Sequence, residues 1–156
     1  MAAKKIVLKA TGAEQYGGAL ADATITPGDL IKRTSTGVVR HATAAGNAMP
    51  MFAVNSADQN RGIDSDYASG EDVPFVIAQR GAQIYGVVAA SAAAIAVGDY
   101  LESNGAGGLR KHTPQAVAES GSASYSIQAN GPIAIALEAV DNSGGATKVR
   151  IRAEIL

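Results

Sequence analysis

Residues 25–41 read ITPGDLIKRTSTGVVRH, and residues 95–112 read IAVGDYLESNGAGGLRKH. Ile25 matches Ile95, Gly28-Asp29 matches Gly98-Asp99, Leu30-Ile31 matches Tyr100-Leu101, Gly37 matches Gly107, and Val39-Arg40 matches Leu109-Arg110, all at an offset of 70 residues. In each stretch an apolar residue and two spacers lead into Gly-Asp and then two apolar residues. That order describes a chain that arrives, turns tightly and leaves as a strand. Gly28 and Gly98 supply positive φ, while Asp29 and Asp99 can accept bonds from backbone amides inside the turn. Pro27 presets the first turn, and Val97 stands in its place in the second. Gly37 and Gly107-Gly108 then reverse the chain into a hairpin. A strand–turn–strand unit written twice predicts a scaffold built twice.

The repetition extends beyond these stretches. Ala68-Ser69-Gly70-Glu71-Asp72-Val73 is a looser third copy of the turn, and Pro50-Met51-Phe52-Ala53-Val54 matches Pro132-Ile133-Ala134-Ile135-Ala136. Short strands are predicted at 6–9, 30–33, 38–41, 51–54, 73–78, 82–88, 100–102, 109–111, 133–139 and 147–153. The last alternates cleanly, with Val149 and Ile151 set against Lys148, Arg150 and Arg152, as a half-buried strand does. Helix is scarce: about two turns over 89–96 and one or two over 113–120. Residues 113–131, rich in Ser and Gly, are expected to form an exposed loop. The predicted fold is mainly β, a small β-barrel (tulip-like) or sandwich domain over residues 23–156. Its repeat-like halves run about 23–90 and 91–156. Residues 1–22 read as an N-terminal arm, an edge strand or tether in which Gly17-Gly18 frees the backbone to turn.

Composition narrows the function classes. The 156 residues are 47% hydrophobic, but much of that is alanine, with two Phe and no Trp. A core of small side chains removes little apolar surface from water, which favours help from subunit contacts. Net charge is −1 and charged residues make up 17%, so there is no basic field to hold nucleic acid or an anionic membrane. Cysteine is absent, which excludes disulfides, zinc thiolates and a cysteine nucleophile. The short apolar run Ile6-Val7-Leu8 is no secretory signal, and the apolar stretch 85–97 is too short to span a bilayer.

No constellation in the chain commits to catalysis, to a cofactor or to a metal. His41 and His112 close equivalent hairpins beside Arg40 and Lys111, and without neighbouring acidic or thiol ligands they read as exposed polar residues at strand ends. The cluster from Asp58 to Asp72 is dense in carboxylates, but it lacks the glycine and glutamate of a calcium loop, so a turn-rich connection fits better than a weak cation site. There is no G-x-S-x-G elbow and no phosphate-binding glycine loop. Asp29 and Asp99 are explained by their turns.

The duplicated GD hairpins, the strand Pro132–Ala139 and the closing Val149-Arg150-Ile151-Arg152 resemble the head-decoration (capsid cement) proteins of tailed bacteriophages. The resemblance covers most of residues 23–156 and carries over no functional residue position by position. It implies a compact β domain that trimerises on the outside of an expanded phage head after synthesis in the host cytoplasm. There it would clamp neighbouring major capsid subunits against internal DNA pressure. The arm would then contact the capsid or a neighbouring protomer by edge pairing, through Lys4, Ile6, Val7, Leu8 and Tyr16. The alternative is a virion or cell-surface module that binds carbohydrate or host through loops 55–72 and 113–131, with Tyr67 and Tyr125 as its aromatics.

Overall fold

A computed structural model describes residues 5–114 and 131–156, and every described element is a strand or a turn. The strands are β1 (Val7–Lys9), β2 (Gln15–Leu20), β3 (Ile31–Arg33), β4 (Val38–Arg40), β5 (Met51–Ala53), β6 (Asp72–Ile77), β7 (Gln83–Val88), β8 (Tyr100–Ser103), β9 (Leu109–Lys111), β10 (Ala134–Ala136) and β11 (Val149–Ile155). Strands β7, β11, β10, β8 and β9 pair in that order, and a parallel bridge between Val88 and Leu109 closes them into a five-stranded barrel.

The first half repeats this circuit. Strands β2, β6 and β5 pair in order, the bridge Leu30–Phe52 passes to the β3–β4 hairpin, and the parallel bridge Ala21–Val38 returns to β2. Drawn by pairing, the equivalent units span 15–77 and 83–155, joined by a turn at Gly81, whose φ is 85°. Each unit thus takes in one strand more at its start than the halves drawn from the sequence. Gln15–Leu20 is the first strand of its barrel. Gly17 there serves packing instead of turning: a Cβ on it would lie 2.7 Å from Cζ of Phe75.

The pairings also refine the repeat. His41 N–H donates to Leu30 O and His112 N–H donates to Tyr100 O. The offset of 70 therefore holds only up to the hairpin turn, where the second copy gains a residue: Thr34 N–H reaches Gly37 O, but Asn104 N–H reaches Gly108 O. Likewise Gly28 N–H donates to Ala53 O and Gly98 N–H to Ala136 O, so the matched prolines are one residue out of structural register. The helix expected over 89–96 is absent. Ile95 there bridges Val140, and Ser91 N–H is bonded to Gly145 O, so cross-chain pairing outweighs the helix propensity of alanine. The stretch 115–120 lies outside the described residues.

Two cores result. Ile25, Ile31, Val38, Met51, Tyr67, Val73 and Phe75 fill the first barrel. Ile84, Leu101, Leu109, Ile151 and Ile155 fill the second, together with Ala134, Ala136 and Ala153. A five-stranded barrel is narrow, and alanine suits its interior. Leu30, Phe52 and Val76 point out of the first barrel into the second core, so the units share one apolar junction.

Candidate functional site

The Gly-Asp turns have the geometry their sequence requires. Gly28 and Gly98 sit at φ of 92° and 86°. Asp29 Oδ2 accepts the Thr26 N–H at 2.8 Å, and Asp99 Oδ2 accepts the Ala96 N–H at 2.8 Å. The looser third copy forms the same turn with a longer acid: Gly70 has φ of 85°, and Glu71 Oε2 accepts the Ala68 N–H at 2.5 Å.

Environment separates the two aspartates. Asp99 lies at the surface, and its carboxyl is held below the usual range by the Ala96 amide and then by Lys111, whose Nζ is 2.9 Å away. Asp29 is buried at the junction between the barrels, and desolvation pushes it up to about 6 against the pull of Thr26, Lys148 and Arg40. Lys148, just before β11, and Arg150 on β11 clamp this turn. Lys148 Nζ donates to Thr26 Oγ1 at 2.7 Å, and Arg150 Nη1 donates to Pro27 O at 2.6 Å. Arg150 also donates to Ile63 O and stacks over Tyr85. A cleft of about 300 Å³ beside the turn is lined by Asp29, Arg40, Asn104 and Lys148. Asp99 is not in its lining, so the two carboxylates do not converge there for acid–base chemistry.

The histidines depart from the exposed placement expected of them. His41 is buried at the junction, where Nε2 donates to Asn47 O at 3.3 Å and Nδ1 accepts the Ser103 hydroxyl at 2.7 Å. Desolvation lowers its pKa. His112 is half-buried, with Nδ1 2.7 Å from Oε2 of Glu102. Glu102 itself is 1% exposed and also receives Arg110, at 2.9 Å from Nε and 2.8 Å from Nη2. Neither histidine signals this in sequence, since both follow a basic residue at a hairpin end and only packing of one barrel on the other buries His41.

In the 58–72 cluster, Glu71 pairs with Arg61 at 2.5 Å and Asp64 with Arg150 at 3.2 Å. Tyr67, expected in an exposed loop, is fully buried with its hydroxyl donating to Val54 O at 2.8 Å. It completes the first core and bridges Ile25. Tyr125 lies outside the described residues. No local pattern in the sequence marks Glu102 or Ser103. Lys148 and Arg150 were visible only as the polar side of an alternating strand.

The arm residues take several positions. Lys4 lies outside the described residues. Ile6 is 1% exposed, and its carbonyl accepts the Tyr85 N–H at 2.7 Å. Val7 and Leu8 are half-buried on β1, which lies along the edge of β7 with Val7 opposite Ile84. Tyr16 stands 64% exposed on β2.

No protein-family model matches the chain, and no curated protein matches it. Among solved structures, the chain is similar to the head fiber gp8.5 N base of bacteriophage phi29 at a TM-score of 0.53 and 12% identity, covering 92% of this chain and 94% of that one. At that identity the likeness is one of fold. The tandem-barrel architecture is therefore one that a phage head protein also uses, in keeping with the resemblance carried by the sequence.

Proposed function

We propose that this chain is a non-enzymatic structural protein of a tailed-phage virion. In this reading it sits on the outside of the expanded head as a homotrimer, binds the major capsid protein and clamps neighbouring subunits against the pressure of packaged DNA. The observation that carries the reading is the fold shared along nearly its whole length with the base of a phage head fiber. The residue-level geometry is compatible with it, because the polar groups that looked chemical have structural partners: Asp29 and His41 at the junction of the barrels, Asp99 and His112 within the second barrel, and Glu71 within the first. Lys4, Ile6, Val7, Leu8 and Tyr16 are the proposed contact strip, with Ile6 anchoring the strand and Tyr16 meeting the partner. Trimer geometry multiplies weak contacts, so no single patch has to be strongly apolar.

The test is the solution mass by light scattering followed by cosedimentation with expanded and unexpanded heads. A trimer retained only on expanded heads supports the proposal. A monomer that ignores both would sink it. Tyr16→Ala is expected to weaken retention about tenfold, equivalent to ~1.4 kcal/mol, with the melting temperature unchanged.

A further inference from the structure

The two barrels carry equivalent strand edges, and among the described residues only one is filled. Val54 N–H donates to Pro74 O, and Leu137 N–H donates to Arg152 O. Pro74 and Arg152 are therefore equivalent, and so are the residues opposite them, Gly18 on β2 and Tyr85 on β7. In an antiparallel ladder a residue directs its N–H and C=O to the same side. Pro74 directs its carbonyl to β5, so the pair Gly18–Pro74 is a non-bonded one, and Gly18 directs both main-chain groups away from β6. Tyr16, two residues earlier, does the same. At the equivalent place Tyr85 N–H is taken by Ile6 of the β1 segment. At β2 no described residue stands there: β2 is the edge of its sheet, and no described residue beyond β6 bonds the main chain of Tyr16 or Gly18.

We infer that the free edge of β2 is an acceptor for an extended strand supplied by another polypeptide, seated antiparallel as β1 is on β7. Among the described residues each copy has two such edges and one such strand. Its own strand is committed, since Ile6 is buried at β7 and β1 pairs antiparallel there across a β-bulge between Val7 and Lys9. The chemistry of the occupant follows from the edge. Main-chain bonds to Tyr16 and Gly18 accept almost any sequence without proline at the bonding positions. Tyr16 and Leu20, 64% and 53% exposed on one face with only Gly18 between them, favour a strand with apolar side chains at alternate positions. An exposed edge of this kind is otherwise a liability that charge or proline would blunt, and Gln15–Leu20 carries neither.

The experiment follows amide exchange by NMR on the full chain, with a synthetic peptide of residues 4–12 as the probe because that strand fits the equivalent edge. In the free protein the Gly18 amide should exchange at least about tenfold faster than that of Gly17. Excess peptide should slow exchange at both Tyr16 and Gly18. Gly18→Pro removes the donor at a position where an edge strand tolerates proline; it should abolish the slowing at Tyr16 and leave melting unchanged. Protection of Gly18 in the free chain would overturn the inference. So would slowing confined to β7, equal slowing at Tyr16 in G18P, or no slowing under saturating peptide.

Discussion

At the scale of single residues, one motif in two settings gives opposite titrations. Asp99 is stabilised as a carboxylate at the surface, whereas burial raises Asp29 to about 6 from an ordinary 3.8. The folded chain thus holds the Asp29 proton more tightly than the unfolded chain does. The associated stability is complete below about pH 4 and is lost as pH climbs through 6, a change of roughly 3 kcal/mol. Groups with depressed values, Asp99 and Asp141, act in the opposite sense and at lower pH. Asp29→Asn keeps an oxygen for the Thr26 amide. In urea titrations its unfolding free energy should lack this fall between about pH 3.5 and 6.5; an unchanged slope would reject the assignment. Glu102 is the other residue on which stability turns, because its buried carboxylate meets both Arg110 and His112. Removing it takes the buried acceptor from His112 and from Arg110, whose own side chain is 41% exposed, so Glu102→Ala should cost about 1–2 kcal/mol in the same titrations.

At the scale of elements, strands are short and their turns are specified. The tight Gly-Asp corners were legible because positive φ calls for glycine and the amide inside the turn calls for a short acid. Strand β2 was harder to see. Its Gly17-Gly18 pair carries no apolar alternation, and the glycine is required by the ring of Phe75, a residue 58 positions away in sequence. Gly17→Val should therefore strain the sheet by about 1–3 kcal/mol, read as a lowered melting temperature. Strand β11 shows how an alternating pattern can hide a structural role. Its inward Ile151, Ala153 and Ile155 build the core, while Arg150 and the Lys148 that precedes the strand reach across to the first turn. Arg150→Ala loses hydrogen bonds to Pro27 O and Ile63 O, and a cost of about 2 kcal/mol in chemical denaturation is expected.

At the scale of the whole molecule, the barrels are two in topology and one in stability. Leu30, Phe52 and Val76 from the first unit lie in the core of the second, and His41 bonds Ser103 across the junction. Calorimetry should accordingly show one cooperative transition, and Phe52→Ala should lower it as a unit by about 3–5 kcal/mol without splitting it. Two resolved transitions would contradict the shared core. Duplication, mainly-β class and turn chemistry were determined by the sequence alone, because they depend on local conformational preferences that repeat wherever the residues repeat. Closure of each unit into a barrel, burial of Tyr67, His41 and Asp29, and the one-residue shift between the hairpins were decided only in the tertiary structure. These depend on which faces meet across long separations, and the same Gly-Asp turn is buried in one copy and exposed in the other because only the first copy's turn faces the junction between the barrels.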